Sequence, residues 1–453
     1  MSYPAYPEVK PSGVEWLGDV PEHWNISRLK NSISASRNGV WGDEPQGDEN
    51  DLVCVRVADF DRQNNMVKLD KFTLRNIPKS EQKGRVVKKG DLLLEKSGGG
   101  ELQPVGFVVR FDHDIAAVCS NFVARLQPGR KAASRYFCYV HSAAYAARLN
   151  TRSIKQTTGI QNLDEDAYLN EASPFPPLPE QQQIAAFLDR KTAELDGVLA
   201  LKERQLELLA EKRQALISQA VTRGVDPAAP LKPSGIDWLR DVPRHWEVVP
   251  LKFLANFAGG GTPAKENLDF WAGDIPWVSP KDMKSELIED TEDHITSEAL
   301  TASATSMVPA STVLMVVRSG ILKHTIPVAM NVNAVSLNQD MKAVLFGRRM
   351  EPAYFTLLVR GNQNALLTLW RKAGATVESI EHEYLANTEC PVPSLQEQRA
   401  IVAYLDRETA SLDGIAQAIR AQIDKVREYR QALISAAVTG KIDVRGMTAE
   451  AAT

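Results

Sequence analysis

Two blocks of this 453-residue sequence occur twice, and this repetition restricts the possible folds more than any other feature. Residues 10–24 return at 232–246 with 11 of 15 positions identical. Residues 178–222 return without gaps at 395–439 with 24 of 45 positions identical. The domain-sized stretches between these blocks do not align with each other beyond a few residues. The chain is therefore a tandem duplication in which the frame is repeated and the inserts differ.

The blocks divide the chain into successive segments of predicted α/β (α+β mixed) structure. They are residues 1–24 (repeated segment), 25–177 (first insert), 178–225 (helical spacer), 226–246 (repeated segment and linker), 247–394 (second insert), 395–445 (helical spacer) and 446–453 (a tail expected to be disordered). Each insert is long enough to fold as a globular domain with its own core. Because the inserts differ while the helical blocks match, we expect each insert to bind its own ligand.

Both spacers have a helical pattern that follows a proline-containing segment. Residues 180–188 predict a short helix, and Thr192 is a suitable N-cap for a long one. The predicted heptad seam is Leu195, Leu199, Lys202, Leu206, Leu209, Arg213, Leu216 and Ala220, repeated as Leu412, Ala416, Ile419, Ile423, Val426, Arg430, Leu433 and Ala437. Two equal stripes favour a coiled coil, a rod on the order of 45 Å for about 30 residues. We expect antiparallel packing, because it places the two inserts at opposite ends of the rod. The alternative is two helices buried separately in two domains.

Charge and cysteine content restrict the function. The net charge of −4 is not that of an autonomous nucleic-acid binder. Residues 24–177 carry 22 Lys and Arg against 18 Asp and Glu, whereas residues 247–394 carry 12 against 17. Only the first insert is basic, so partner subunits are expected to supply much of any affinity for phosphates. The four scattered cysteines and the absence of a long apolar run favour a cytoplasmic protein without structural zinc.

The motifs of common enzymes are missing from the sequence. Residues 259–265 approach a phosphate-binding loop, but Ala264 stands where the second glycine is required, so they predict a turn. No tetrapeptide like Asn-Pro-Pro-Tyr is present to hold a base for methylation. No two histidines have a metal-binding spacing, and the carboxylates Asp91 and Glu95 lack the spacing of a nuclease. We expect no catalytic residue, no cofactor site and no metal site in this chain.

Several segments together resemble the specificity subunits of type I restriction-modification systems, over nearly the whole chain. In the repeated frame these are residues 12–17, 21–24, 177–185, 216–218 and 433–442. In the inserts they are residues 38–45, 96–99, 119–122, 260–263, 273–277, 318–320 and 338–340. The end of the second insert, residues 374–380, differs from residues 159–163 of the first, which favours a different junction with its helix.

The resemblance implies that each insert is a target recognition domain. Each would read one half of a bipartite, asymmetric site in double-stranded DNA, while the helices set the spacer and dock two methyltransferase subunits. Restriction/translocase subunits would join the complex. S-adenosylmethionine, ATP and Mg²⁺ are expected on those partners. The competing hypotheses are a protein-binding scaffold with two divergent domains and, less compatible with the motifs, a stand-alone enzyme.

Candidate DNA contacts are polar or aromatic residues beside glycines and strand ends, because base edges and phosphates are bound by Arg, Lys, Asn, Gln and hydroxyl groups. In the first insert they are Arg37, Trp41, Lys96, Ser97, Gln103 and Asn121, with the loop Arg152, Lys155, Gln156, Thr157 and Thr158. The cluster Lys79, Lys83, Arg85, Lys88 and Lys89 predicts either phosphate contacts or a solvated turn.

In the second insert the candidates follow the same rule. They are Thr262, Lys265, Lys281, Arg318, Lys323, His324, Asn338 and Gln339. Asn338 and Gln339 could equally form a buried structural amide pair, because apolar segments of strand type flank them. Trp271 and Trp277 are expected to pack in the core rather than to stack on bases.

Overall fold

The computed structural model describes residues 3–157, 159–372 and 376–447. The chain divides into two compact units: unit one comprises Met1–Lys202 with Ala421–Thr453, and unit two comprises Glu203–Arg420. Both ends of the chain therefore belong to unit one. The predicted fold class, mixed α/β built on a duplicated frame, is confirmed.

The strands of unit one all precede the first long helix. They are β1 Val9–Pro11, β2 Asp19–Pro21, β3 Asn25–Arg28, β4 Ile33–Asn38, β5 Asp51–Val55, β6 Phe60–Asp61, β7 Met66–Val67, β8 Leu74–Asn76, β9 Leu92–Glu95, β10 Ser97–Gly98, β11 Val108–Arg110, β12 Ala117–Cys119, β13 Val123–Pro128, β14 Ile154–Thr157, β15 Ile160–Leu163 and β16 Ala172–Phe175. The helices are α1 Lys79–Gln82, α2 Ser134–Ala146, α3 Glu165–Leu169 and the long α4 Leu178–Arg223.

Unit two has a similar series of elements. Its strands are β17 Leu231–Pro233, β18 Asp241–Pro243, β19 Glu247–Pro250, β20 Ala255–Gly259, β21 Ile275–Val278, β22 Leu287–Ile288, β23 His294–Ile295, β24 Val313–Val316, β25 Val328–Asn331, β26 Ser336–Leu337, β27 Met341–Phe346 and β28 Glu389–Val392. The helices are α5 Ser297–Ala302, α6 Pro352–Gly361, α7 Gln363–Trp370, α8 His382–Asn387 and the long α9 Leu395–Val438. Helix α9 begins in unit two and ends in unit one, whereas α4 begins in unit one and ends in unit two.

The two inserts share one sheet topology although their sequences do not align. The main sheet has the order β4-β13-β9-β11-β7-β6 in unit one and β20-β27-β24-β25-β22 in unit two. In both sheets the first three pairings are antiparallel and the fourth is parallel. A smaller sheet beside it contains the parallel pair β5–β12 or β21–β26. The inserts are therefore two copies of one fold.

The cores explain how unlike sequences reach the same topology. The central strands β9 and β24 are buried at every residue, which fits strands covered on both faces. Helix α2 packs on β11, and helix α6 packs in the same way on β25. The requirement is for apolar side chains at these positions rather than for particular ones, so the sequences can diverge while the fold stays.

The long helices pair antiparallel, as predicted. In unit one Asp196 of α4 forms an ion pair with Arg430 of α9 at 3.3 Å, and in unit two Arg213 of α4 lies 3.6 Å from Asp413 of α9. Higher numbers in one helix thus face lower numbers in the other. The predicted seam residues are buried or half-buried throughout, whereas Val198, Leu201 and Leu208, which lie outside the seam, are exposed.

Thr192 does not begin a helix, which corrects the prediction of a short helix before it. Helix α4 is continuous from Leu178 to Arg223, and the Thr192 hydroxyl donates to the Leu188 carbonyl at 2.7 Å within that helix. Thr192 is buried against Tyr139, and its hydroxyl is satisfied by the carbonyl of the preceding turn. An N-cap at this position would instead require the helix to be interrupted.

The repeated Trp-containing segments attach each insert to its helix through a carboxylate. In unit one Glu180 accepts hydrogen bonds from Tyr6 at 2.7 Å, from Trp24 at 3.1 Å and from His23 at 2.8 Å. Burial and the hydrogen bond to Glu180 raise the pKa of Tyr6, so its hydroxyl stays protonated. In unit two Glu397 accepts from Trp246 and His245 at 3.0 Å each. This joint explains why the segments around both tryptophans are repeated.

A glutamine next to each carboxylate forms a second matched joint. The Gln181 side chain accepts from the Ala133 N–H at 2.8 Å at the start of α2, and it donates to the Pro176 carbonyl at 2.9 Å. Gln398 accepts from the Glu351 N–H at 2.7 Å at the start of α6, and donates to the Pro393 carbonyl at 2.9 Å. The prediction of a different junction in the second insert is therefore wrong.

Substitution of Glu180 by alanine is expected to lower the free energy of unfolding of unit one by about 3 kcal/mol, because buried donors lose their acceptor. Glu397→Ala is the matched control and should cost about 1 kcal/mol, since its carboxylate is more exposed and holds fewer donors. Urea unfolding followed by amide hydrogen exchange measures the two units separately. Equal losses for both variants would contradict the assigned burial.

Candidate nucleic-acid interface

Three loops of the first insert meet at one end of its small sheet. The segment after β4 approaches the loop between β12 and β13, where the Val40 N–H donates to the Cys119 carbonyl at 2.8 Å. The Ser120 N–H in that loop donates to the Val55 carbonyl at the end of β5 at 2.9 Å. Backbone hydrogen bonds therefore join the three loops, whatever side chains they carry.

Glycine is required where the first two of these loops touch. A Cβ atom at Gly39 would lie 2.1 Å from the carbonyl oxygens of both Cys119 and Ser120. The third loop is held by an aspartate, because Asp59 accepts from the Arg56 N–H at 2.7 Å and closes the turn. One glycine and one aspartate thus build the backbone of this site.

Together the loops form a cleft of about 420 Å³, called cleft one here. It is lined by Trp41, Arg56, Val57, Ala58, Ser120, Asn121 and Phe122. Trp41 and Phe122 are 39% and 49% exposed, although large aromatic side chains are mostly buried in folded proteins. Cleft one therefore offers an aromatic wall beside an exposed amide.

Arg75 fixes the aromatic wall from one side. Its guanidinium lies 4.6 Å from the centre of the Trp41 ring, close enough for a cation–π contact. The same group donates to the carbonyls of Trp41 and Gly42 at 3.2 Å each and pairs with Glu44. Arg75 is thus anchored by the segment that it supports, so Trp41 is held in place before any ligand arrives.

A second cleft, called the basic cleft, borders the same segment after β4. It has a volume of about 640 Å³ and contains the cations Arg37, Arg85, Lys96 and Lys155. Acidic residues of the same cleft bind two of these cations: Lys96 lies 3.2 Å from Glu165, and Lys155 lies 2.6 Å from Asp164. The bond to Asp164 raises the pKa of Lys155, so this lysine stays charged. Arg37 is exposed and available to an anion.

Unit two builds an equivalent site from unlike residues. The Gly261 N–H donates to the Leu337 carbonyl at 2.9 Å, and the Asn338 N–H donates to the Val278 carbonyl at 3.0 Å. A Cβ at Gly260 would lie 2.1 Å from the Leu337 carbonyl oxygen. Asp282 accepts from the Ser279 N–H at 2.8 Å, as Asp59 does in unit one. The glycine, the aspartate and the hydrogen bonds are the same in both inserts.

The resulting space, cleft two, has a volume of about 600 Å³. It is lined by Thr262, Lys265, Leu268, Trp271, Trp277, Ser279, Pro280, Lys281, Asp293, Asn338, Gln339 and Asp340. Through the shared backbone, Gln339 occupies the position of Asn121, and Asp340 that of Phe122. The linings differ at every position of the three loops, whereas the glycine and aspartate that shape them do not.

The structure brings together about half of the predicted DNA contacts. Trp41 and Asn121 share cleft one; Arg37, Lys96 and Lys155 share the basic cleft; and Thr262, Lys265, Lys281, Asn338 and Gln339 share cleft two. Asn338 is buried, and its side chain accepts from the Asp340 N–H at 2.9 Å, which is a structural bond, whereas Gln339 is exposed. Trp277 packs edge-on against Trp271 at 5.0 Å, as expected.

The other predicted contacts lie outside the linings of these clefts. They are Ser97, Gln103, Arg152, Arg318, Lys323 and His324. Ser97 donates to Asn162 at 2.7 Å, and Arg152 lies 3.7 Å from Glu15. Thr158 is outside the described residues, and so are the side chains of Gln156 and Thr157. No contact with DNA is tested for any of them, so all stay predictions.

Sequence reasoning missed Phe122, Arg56 and the supporting Arg75. One signal could have found the site, because Val55-Arg56-Val57-Ala58-Asp59 and Val278-Ser279-Pro280-Lys281-Asp282 both end in aspartate four residues after a strand-ending valine. That spacing is typical of a side chain that caps its own turn. This five-residue pattern is short, however, and can be recognised only when the two strands are known to be equivalent.

Comparison with protein families identifies the relationship. The family model described as the type I restriction modification DNA specificity domain matches residues 61–207 and 243–425, well over half of the chain. The chain belongs to this family. Each matched stretch contains most of one insert and part of a long helix, in agreement with the tandem duplication.

Individual relatives agree with the family. The chain is 32% identical over 273 residues to a type I restriction enzyme specificity subunit of Escherichia coli, a stretch that covers 58% of this chain and 61% of that protein. The match thus spans less than two thirds of that relative. A type I restriction enzyme specificity subunit of Methanocaldococcus jannaschii is 20% identical over 446 residues, covering 94% of this chain and 95% of the relative.

Two solved structures share the fold. A chain of a structure concerning complex assembly and conformational transition of the type I R-M system superposes with a TM-score of 0.69 at 18% identity, covering 93% of this chain and 99% of that chain. The HsdS subunit from Thermoanaerobacter tengcongensis superposes with a TM-score of 0.51 at 16% identity, covering 93% and 98%. At these identities the likeness supports the fold alone.

The described residues contain no group of three or more His, Cys, Asp or Glu side chains arranged to hold a metal ion. Among them, no helix combines the length and the apolar character that crossing a membrane requires.

Proposed function

We propose that this chain is the DNA-specificity subunit of a type I restriction-modification complex. Residues 25–177 and 247–394 would be target recognition domains, each reading one half of a bipartite, asymmetric site in double-stranded DNA. The pair of clefts carries this proposal. One backbone with two sets of lining side chains is what reading two different sequences requires, because base edges are distinguished by the side chains presented to them.

The basic cleft favours DNA over a protein ligand. Arg37 is exposed there beside three further cations, next to the segment that lines cleft one. Phosphate contacts orient a protein on the duplex, and neighbouring base contacts supply the sequence specificity. The internal acidic partners of Lys96 and Lys155 weaken this site as an independent phosphate binder. Partner subunits would therefore supply part of the affinity.

Partner binding and the division of labour form the second part of the proposal. The helices would set the length of the unread spacer and dock two methyltransferase subunits, with restriction/translocase subunits joining the complex. Exposed apolar side chains outside the seam of α4, at Val198, Leu201 and Leu208, support such docking. S-adenosylmethionine, ATP and Mg²⁺ would bind to the partners, and this chain would direct their chemistry without catalysing a step.

The test is to co-express the chain with the methyltransferase subunit encoded beside it and to map methylated adenines across the host genome. We expect methylation at one split, asymmetric sequence. Exchange of residues 25–177 for the corresponding insert of another specificity subunit should change one half of that sequence and leave the other half unchanged. A common motif that is absent, or that survives the exchange intact, would rule out the proposed function.

A further inference from the structure

We infer that cleft one reads a single A·T base pair through the major groove, with Asn121 facing the adenine and the aromatic wall of Trp41 and Phe122 facing the thymine methyl group. This inference rests on the proposed function and specifies its chemistry at one site. It follows from the composition of cleft one, from its equivalence with cleft two and from the charge beside it.

The amide is the group that both clefts have in common. Asn121 and Gln339 occupy the same position in the loop that precedes β13 or β27, as the matched hydrogen bonds of Ser120 and Asn338 show. Both side chains are exposed, and the described residues provide no hydrogen-bond partner for the Asn121 amide. In unit two the Gln339 amide oxygen accepts from the Thr262 hydroxyl and its nitrogen donates to Asp340 at 3.4 Å, which leaves one lone pair and one N–H of this amide for a ligand.

An amide is the complement of the major-groove edge of adenine. Adenine presents the N7 acceptor and the N6 amino donor side by side, and an Asn or Gln amide offers one donor and one acceptor at matching spacing. Guanine presents two acceptors there, so the amide oxygen would face another acceptor. An exposed amide at one position in both inserts therefore favours adenine in both half-sites.

The aromatic wall at the positions of Trp41 and Phe122 distinguishes cleft one, since the rings of cleft two, Trp271 and Trp277, stand at other positions and pack on each other. Phe122 and Trp41 present exposed rings next to Asn121, and Arg75 holds the Trp41 ring in place. The thymine methyl is the main apolar group that an A·T pair exposes in the major groove, and it lies across the pair from adenine N6. In cleft two the position of Phe122 is taken by Asp340, and Lys281 lies 2.8 Å from Asp293. Its loops thus offer charge where cleft one offers rings.

Charge complementarity supports a duplex as the occupant. The segment of residues 36–41 lines both clefts of the first insert: residues 36–38 border the basic cleft, and Trp41 borders cleft one. A base pair in cleft one would therefore have phosphates of the same duplex within reach of Arg37. An apolar peptide in cleft one would gain nothing from this cation.

The test uses the complete complex with its methyltransferase subunits and duplexes that carry its cognate sequence. The insert exchange first identifies which half the first insert reads. Deoxyuridine then replaces each thymine of that half in turn, which removes only the methyl group. At one position we expect affinity to fall about fourfold, as loss of one buried methyl predicts. Replacement of the paired adenine by 7-deazaadenine should lower it about tenfold.

Variants of this chain connect the effect to cleft one. With Trp41→Ala and Phe122→Ala combined, the deoxyuridine and thymine duplexes should bind equally, while the penalty for 7-deazaadenine stays. With Asn121→Ala the 7-deazaadenine penalty should disappear. Deoxyuridine in the other half-site is the matched control and should leave affinity within about twofold.

Three results would overturn the inference: a first-insert half-site without an A·T pair, equal affinity for every deoxyuridine duplex, or a methyl effect that persists when Trp41→Ala and Phe122→Ala are combined. In each case the bipartite methylation motif would still be observed. Failure of the inference is therefore distinguishable from failure of the proposed function, in which no such motif appears.

Discussion

Replacement of Gly39 by alanine is expected to lower the affinity of the assembled complex for its cognate duplex by up to about 100-fold, because loss of a bidentate base contact costs about 1–3 kcal/mol. The added Cβ would lie 2.1 Å from two backbone carbonyl oxygens, at Cys119 and Ser120. Neither oxygen can rotate away as a side chain would, so the loop that carries Asn121 and Phe122 must move. Overpacking of this kind also costs about 1–3 kcal/mol of stability.

Unit two provides both the replicate and the control for this substitution. Gly260→Ala places a Cβ 2.1 Å from the Leu337 carbonyl oxygen and should damage reading by the second insert. At the adjacent Gly259 a Cβ would meet no atom within 4 Å, so Gly259→Ala should bind the cognate duplex within about twofold of the unmodified complex. Binding titrations with cognate and single-mismatch duplexes measure the effect. Cognate affinity unchanged in Gly39→Ala would refute the role given to this contact.

The helical frame could be predicted from the sequence because its determinants are local and repeated. The heptad positions from Leu195 to Ala220 predict which face is buried, and two equal stripes in one chain predict that they pack together. The prediction that the long helix begins at Thr192 was wrong, because α4 begins at Leu178. Thr192 suits a cap by residue type, but its neighbour Tyr139 is about 50 residues away in sequence, so local rules could not show that it is buried.

The clefts could not be predicted because their parts are distant in sequence. Trp41 and Asn121 line the same cleft only because β4 pairs with β13 and β5 pairs with β12, and strand pairing over such separations leaves no local signal. Individual contact residues were nevertheless found from chemistry, since Asn121 and Gln339 were selected as amides beside strand ends. Their equivalence became apparent only when the two topologies were compared.

Two lysines at and beside cleft two are paired with acidic residues of the same insert. Lys281 pairs with Glu292 at 3.2 Å and with Asp293 at 2.8 Å, and Lys284 pairs with Glu292 at 3.2 Å. Hydrogen bonds from these lysines lower the pKa of Glu292, so its carboxylate is charged and occupied. Cleft two thus holds its own counter-charges. It is suited to polar base contacts more than to phosphate binding, so under the proposed function phosphate affinity would come from the first insert and from partner subunits.

Lengthening both long helices by one heptad is expected to lengthen the spacer of the methylated sequence without altering either half-sequence. The insertion belongs directly after Asp196 in α4 and directly before Arg430 in α9, because these residues face each other as an ion pair. A heptad preserves the seam, whereas other lengths rotate it. Seven residues add about 10 Å of helix, the rise of about three base pairs. Methylation should therefore appear at the same two half-sequences with a spacer longer by about three.

The matched control carries the same seven residues in α4 alone. In that variant Asp196 and Arg430 lose their register, and apolar seam residues such as Leu199 must leave their partners, so the pairing is expected to be destabilised and methylation to fall at both spacers. Genome-wide methylation mapping distinguishes methylation at the longer spacer, methylation at the unchanged spacer and loss of methylation at both. An unchanged spacer in the double insertion would show that the helices do not set the distance between the half-sites. Methylation at the longer spacer in the double insertion, but not in the α4 insertion alone, would show that helix length determines the distance between the half-sites. Unchanged half-sequences would show that the inserts determine which bases are read.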